Sequence, residues 1–481
     1  MDHLQSPSTS AATATERLRG ALTERQMTMI AIGGVIGAGL FVGSGTAIQN
    51  AGPAVLVSYA AIGVLIVLVM RMLGEMSVNN PATGSFSSYA SRELGPWAGL
   101  SVGWLYAYQW CVTIGFEAVV GAAVTHQMFP AIPTWLAALV YMAVLISVNL
   151  TRVENFGTFE YWFAMIKVAA IVVFLLLGIA AIFGLLPSAD APGMTNLTGQ
   201  GGFAPMGWTA VLTASLIVFF SFFGTEAVTI AAGEAKNPVK AVKAGINSVV
   251  WRILLFYVGS IAVIVVLLPW NSTDVAESPY SAVLNHLGIP YAGTIMNVIV
   301  LVAVLSCLNA GIYSSSRMLF SLADRGEAPK LLRRTTSRGV PIFAVFAASS
   351  VGLFTVFANY ALPTATVYQF LLNSSGSIAV VVYIIITVTH MRSRRNLTAE
   401  QRAGLDFKMW LFPVLNVLVL IVLGAVIIGM AMRDDSRESL ALTTVVTVAA
   451  VVAGLIYQRR NGGRDTHAET LPGEAGLPTV P

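Results

Sequence analysis

The sequence predicts an all-α polytopic membrane protein with twelve transmembrane helices, and three observations lead there. Composition is the first. Hydrophobic residues make up 56% of the chain, charged residues only 10%, and the mean hydropathy is +0.76; a soluble domain runs near about 25% charged. The second is the recurrence of apolar windows of about 20 residues, long enough to cross a bilayer. They fall at 27–48, 53–73, 97–124, 133–150, 161–186, 208–232, 245–268, 289–316, 340–358, 363–389, 409–431 and 440–457. The third is charge asymmetry. The charge count assigns all but three of the 27 Lys and Arg to the two tails and the even-to-odd connections. These include Arg71, Arg92, Arg152, Lys236, Lys240, Lys243, the run Arg317 to Arg338 and the run Arg392 to Lys408. The opposite side receives only Arg433 and Arg437, so the positive-inside rule places both termini in the cytoplasm.

Ahead of the first span, residues 1–24 are polar and rich in Ser, Thr and Ala, with no h-region or cleavage-like site. They read as a disordered cytoplasmic tail, not a signal peptide. Residues 459–481 are Gly/Pro-rich and form a second tail around a transporter domain at 25–458. Cys111 and Cys307 sit inside apolar runs, so no disulfide framework is expected. The five histidines (His3, His126, His286, His390 and His467) are scattered, which argues against a metal site. A pI near 9.0 reports loop charges that orient the chain and does not point to nucleic acid.

The first span, Ile30 to Gly45, is apolar yet carries six glycines. Each costs roughly 0.8–1.0 kcal/mol in a helix interior relative to alanine. A span that accepts this repeatedly reads as a helix broken on purpose, whose opened backbone groups need a partner in the membrane. Broken helices at the midplane are ligand sites in many secondary transporters. Close packing is the alternative, since Gly33/Gly37 and Gly39/Gly43 keep a GxxxG spacing.

Lys167 is the remaining basic residue, inside the fifth span. An ionised side chain there costs on the order of 2.5–3.5 kcal/mol on insertion scales and marks a functional site by default. Snorkelling is the competing reading: Glu160 stands seven residues earlier, about 10 Å along a helix. Glu117 in the third span and Glu226 in the sixth are buried carboxyl candidates of the same kind. Glu226 follows Phe222-Phe-Gly-Thr225, where a glycine and a hydroxyl interrupt an apolar helix. The two breaks stand five spans apart. An odd number of spans per repeat inverts the second copy and brings two such breaks together near the midplane.

Other signals are weaker. Gly99-Leu-Ser-Val-Gly103 matches the GxSxG nucleophile pattern, but no strand precedes it, and Gly95, Gly99 and Gly103 share one helix face. Packing is the better reading, and the chain is not expected to be an enzyme. Ser306, Asn309 and Ser314 in the eighth span and Asn373 to Ser377 in the tenth are polar positions that face protein or a water path. Trp104, Tyr106, Tyr108 and Trp110 form either an aromatic wall or ordinary packing.

Several of these residues belong to a wider pattern. Gly33 to Gly45, Gly74-Glu-Met76 with Pro81 and Gly84-Ser-Phe86, Glu234-x-x-Asn-Pro238, and Tyr313-Ser-Ser-Ser-Arg-Met-Leu319 with Ala328-Pro329 resemble one family. It is the amino-acid permeases of the amino acid–polyamine–organocation superfamily, over about residues 20–458. Within that family the chain most resembles bacterial GABA permeases, in Val69 to Met76, Ser248 to Ile253, Leu267 to Ser272 and Val304 to Asn309.

The resemblance implies a five-plus-five inverted repeat, about 25–186 and 208–389, followed by two extra helices within 409–457. It implies uptake coupled to protons, with Lys167 at the position where proton-coupled relatives place a lysine in the room of a sodium ion. It puts the substrate carboxylate on backbone N–H groups near Ile36, Gly37, Ala38 and Gly39. The amino group goes to carbonyls near Phe220, Ser221 and Phe223, beside Gly224. Glu117 and Glu226 occupy acidic positions common among relatives and join Lys167 as proton-coupling candidates. Physics agrees: a half-helix N-terminus attracts an anion, and carbonyls beside an aromatic face suit an ammonium. The expectation is a proton–GABA symporter of the cytoplasmic membrane, with no cofactor beyond the coupling proton. Its partners are a small zwitterion and the bilayer. β-Alanine, proline or a neutral α-amino acid is the near alternative, and a non-transporting sensor the distant one.

Overall fold

A computed structural model describes residues 22–82, 84–151, 153–186, 191–362, 364–432 and 434–461. The expected tails lie almost wholly outside these residues. Leu22 to Glu24, which the sequence reading put in the first tail, belong to the body: Leu22 is fully buried, and Thr23 caps the first helix in a capping box with Gln26. Leu22 also exchanges backbone hydrogen bonds with Glu234 and Lys236 at 3.0 Å each. That short parallel bridge ties the start of the chain to the segment between the sixth and seventh spans.

Nine helical segments among the described residues are long and apolar enough to cross a membrane. One of them, Ala38–Asn79, holds the second half of the first span together with the second span. Two shorter apolar helices, Thr134–Asn149 and Ile342–Ala358, fall at the fourth and ninth expected spans. The molecule is therefore the all-helical multi-pass membrane protein that the windows predict.

Several helices run further than their apolar windows. The third span is Pro96–Met128, opened by a proline at its first turn behind Gly95 at φ 108°. The eighth span is Ala292–Asp324. Burial ranks the spans: 89% of the third span's apolar window is buried, against 11% for the twelfth. The third span packs against the eighth, ninth, tenth and twelfth and is the hub of the bundle. Its glycines permit this. A Cβ on Gly99 would meet the Ser87 carbonyl at 2.8 Å, and one on Gly103 would meet Leu322 at 2.7 Å. Ser101 donates to the Trp97 carbonyl, so the GxSxG match is helix packing.

Charge placement needs one correction. Arg252, counted with the cytoplasmic connections, lies inside the seventh span and is 2% exposed. Arg317 is buried too, paired with Glu234 at 2.8 Å and stacked over the Tyr313 ring at 4.2 Å. This pair joins two stretches that carried the family resemblance, the Glu234 motif and the Tyr313 motif. The third such stretch closes another polar cluster, in which Glu75 accepts from Arg394 at 2.8 Å and faces His390 at 3.3 Å.

Candidate substrate and coupling site

Both expected breaks are present, and they meet. The first span runs as Glu24–Gly33, opens at 34–37, and resumes as Ala38–Phe41 and Gly43–Ala51. The sixth runs as Trp208–Phe222, opens through an extended Phe223 and Gly224 at φ 103°, and resumes as Ala227–Ala231. Only glycine takes the last conformation without strain. The Ser221 hydroxyl donates to the Gly39 carbonyl at 2.8 Å. A Cβ on Gly39 would lie 2.8 Å from Ser221 Cα, and one on Gly224 would lie 2.6 Å from the Gly34 carbonyl oxygen. The glycines are there so that two backbones can touch.

Lys167 does not snorkel. It is fully buried, and its ammonium donates to the Ile36 carbonyl at 3.1 Å and to Ser306 Oγ at 2.8 Å. The Ser306 hydroxyl donates onward to Glu160 at 2.5 Å, and Asn309 reaches the other Glu160 oxygen at 3.5 Å. A buried ammonium is tolerable only with hydrogen bonds and a countercharge, and this relay supplies the first directly and the second, Glu160, through Ser306. Glu160, read from sequence as a marker of the membrane surface, is itself fully buried and part of the network. Its seven-residue offset from Lys167 puts the two on one helix face, which was the available signal.

Glu117 places both carboxylate oxygens on the Ala38 N–H, at 3.3 and 3.2 Å. This is one of the N–H groups at which a substrate carboxylate was expected, so a protein carboxylate holds it here. Gly37 lies against the same group: a Cβ there would come 2.5 Å from Glu117 Oε1 and 2.8 Å from Cys307 Cβ. Cys307 in turn faces the Gly34 carbonyl at 3.6 Å.

At the second break Glu226 accepts from the Gly224 N–H at 3.1 Å, from Thr225 at 3.3 Å and from the Tyr383 hydroxyl at 3.4 Å. Phe220 sits edge-on to Phe116 with centroids 4.9 Å apart. Phe223 packs against Tyr106 and Trp110 at 5.5 and 5.4 Å. Two of the four third-span aromatics therefore line the break. Trp104 instead donates to the Glu327 carbonyl, and Tyr108 is only partly buried.

All eleven candidate residues thus cluster around the two breaks, although Gly43 and Gly45 lie outside the contact. Gly45 abuts the carbonyls of Val275 and Ala276 and is a packing glycine. Of the tenth-span polar run, the side chains at 373–376 lie outside the described residues, while Ser377 pairs with Ser439 at 3.1 Å. Sequence reasoning missed Tyr257, whose hydroxyl reaches both breaks, and Arg252, whose guanidinium nitrogens have no hydrogen-bond partner among the described residues.

The chain was compared with known proteins. The family model described as "Amino acid permease" matches residues 26–460. A gamma-aminobutyric acid permease of Bacillus subtilis (strain 168) is 49% identical over 443 residues, covering 92% of this chain and 94% of that one. The gamma-aminobutyric acid permease of Escherichia coli (strain K12) is 44% identical over 92% of this chain and 95% of its own. An aromatic amino acid transport protein, AroP, of Corynebacterium glutamicum is 40% identical over 90% and 94%. Among solved structures, a manganese transporter of Eremococcus coleocola aligns with a TM-score of 0.57 at 14% identity, over 94% of this chain and 99% of that one. The nucleobase-cation-symport-1 family transporter Mhp1 aligns at 0.52 and 18%, over 95% of each. These two show a shared fold across wholly different cargoes. With the family model spanning nearly the whole helical body, the chain belongs to the amino acid permease family and is a membrane transporter of amino acids, not an enzyme.

Proposed function

We propose that this permease imports GABA with a proton across the cytoplasmic membrane by alternating access, both termini lying in the cytoplasm. We read its first ten spans as inverted repeats that place the two breaks face to face. The observation that carries the proposal is the Lys167 ammonium seated on the Ile36 carbonyl of the first break. A fixed protein cation at that point takes the structural part a bound metal cation would otherwise fill, which favours protons as the coupling ion. Two curated relatives named as gamma-aminobutyric acid permeases, at 49% and 44% identity, support the substrate.

The geometry suggests how proton and substrate are linked. An ionised Glu117 is a strong acceptor for the Ala38 N–H. A proton on Glu117 weakens that hold, frees the N–H at the start of a half-helix, and lets the carboxylate of the substrate take it. The ammonium end lies across the gap, toward the carbonyls of Phe220, Ser221 and Phe223. Release toward the cytoplasm then parts the Leu22–Ala235 bridge and the Arg317–Glu234 pair, which close that side.

Uptake of labelled GABA into proteoliposomes, with an imposed pH gradient and no sodium, tests transport, coupling ion and substrate together. Accumulation driven by the gradient is the expected result. GABA carries its amine three methylenes from the carboxylate, whereas an α-amino acid carries both on one carbon. A competition panel of β-alanine, proline, aromatic and branched amino acids therefore reads the spacing of the site, and failure of GABA to compete would sink the assignment.

A further inference from the structure

The seventh span contributes a residue to the site that neither break contains. It does not run as a regular α-helix: between Pro238–Arg252 and Ser260–Leu267 the seven residues Ile253–Gly259 form π-helical turns. Such turns are rare and concentrate at functional sites, because widening one turn re-aims the side chains it carries. The side chain re-aimed here is Tyr257. It is fully buried, its ring is held by Phe222 at 4.4 Å and Tyr59 at 6.4 Å, and its hydroxyl lies 3.1 Å from the Val35 carbonyl and 2.9 Å from the Ser221 carbonyl.

Those carbonyls belong to different broken spans. Val35 lies in the opening of the first span, and Ser221 in the last turn of Trp208–Phe222, where carbonyls have no intrahelical donor. A phenol has one proton and two lone pairs. It donates fully to one of the two oxygens, so together they hold more acceptor capacity than it can satisfy. An ammonium brings three donors to the same place.

We infer that Tyr257 is an amine-binding residue of the permease: it gives its proton to Val35 and turns its oxygen, with the released Ser221 carbonyl, toward the substrate's ammonium. This rests on the reading that Ser221 lies at the amine end of a zwitterion site. The span-7 phenol then makes the site require a primary amine and sets its distance from the Ala38 N–H at the carboxylate end.

The test is proteoliposome uptake of labelled GABA by the full chain, with unlabelled butyrate, which keeps the carboxylate and lacks the amine, as competitor. Tyr257→Phe removes only the hydroxyl. The expected result is a KM for GABA raised about tenfold, as for loss of one hydrogen bond to a charged group, with Vmax within about twofold and the inhibition constant of butyrate unchanged. A KM and a butyrate constant that rise together make the hydroxyl a mere tie between the breaks and overturn the inference, as does an unchanged KM. Should Tyr257→Phe not fold, 3-fluorotyrosine at position 257 keeps the shape and weakens the oxygen as an acceptor. It should raise the KM by about two- to threefold on the same grounds, and no change overturns the inference. The wild-type arm decides the GABA reading by itself. If it accumulates another zwitterion instead, that substrate and its des-amino carboxylate replace GABA and butyrate in the same comparison.

Discussion

The two breaks solve one problem in opposite ways. In the first span, Gly37 has φ −132°, extended backbone open to any residue, and the freed polar groups are served from far away. Glu117, 79 positions on, takes the Ala38 N–H; Lys167, 131 positions from Ile36, donates to its carbonyl. In the sixth span, Gly224 sits at φ 103°, its N–H is served at home by Glu226 two residues on, and the Phe222 carbonyl by Thr225, while the Ser221 carbonyl is met from the seventh span by Tyr257. The sixth-span opening at Gly224 is written into its own local sequence. The first-span break depends on ionisable side chains of the third and fifth spans, so a proton or substrate that changes those side chains changes its geometry.

Substitutions can break or sharpen that contrast. The largest effect is expected from Lys167→Ala, which strips the first break of its cation and leaves Glu160 and Ser306 facing none. Gradient-driven uptake should fall by at least about a hundredfold while the protein stays monodisperse on size exclusion, and undiminished accumulation would remove Lys167 from coupling. Gly37→Val comes next. Its side chain displaces Glu117 and Cys307, and substrate affinity measured by competition should fall by at least about tenfold; normal affinity would take the first break out of the site.

Gly224→Ala acts on the other break through conformation. A non-glycine residue at φ 103°, pressed against the Gly34 carbonyl, should cost about 1–3 kcal/mol and show as a lowered thermal midpoint. A midpoint equal to wild type would mean that the sixth-span opening is not set locally. The smallest pair ranks the carboxyls. Glu117→Gln should lower uptake several-fold and flatten its dependence on pH, whereas Glu226→Gln should cost about twofold and leave the pH profile intact. The reverse ranking would move the proton to the sixth span and dissolve the contrast.

How far the site could be read from sequence follows the same division. The sixth break was legible because Phe-Phe-Gly-Thr-Glu puts a glycine and a hydroxyl into an apolar helix, and a local pattern needs no fold to interpret. The first break was legible as six glycines, but what satisfies it was not, since Glu117 and Lys167 reach it only across the bundle. Arg252 was counted with a loop although the apolar window 245–268 already holds it; its burial inside the bundle is what the structure adds. Glu160 was mistaken for a surface marker for a similar reason: a carboxylate near a span end looks the same whether it faces water or, through Ser306, a buried lysine.

By itself the sequence determined the class: twelve apolar stretches, too few charges for a soluble core, and glycine-broken first and sixth spans whose motifs identify an amino acid permease. Hydrophobicity and backbone propensity are properties of adjacent residues, so adjacency suffices to read them. Only the tertiary structure decided which donors meet which acceptors. It put Lys167 on Ile36, Glu117 on Ala38, Arg317 on Glu234 and Tyr257 between Val35 and Ser221. The reason is energetic. In a bilayer interior each polar group must find a partner, and the partner that packing brings within 3 Å is chosen by the whole bundle and not by its neighbours in the chain.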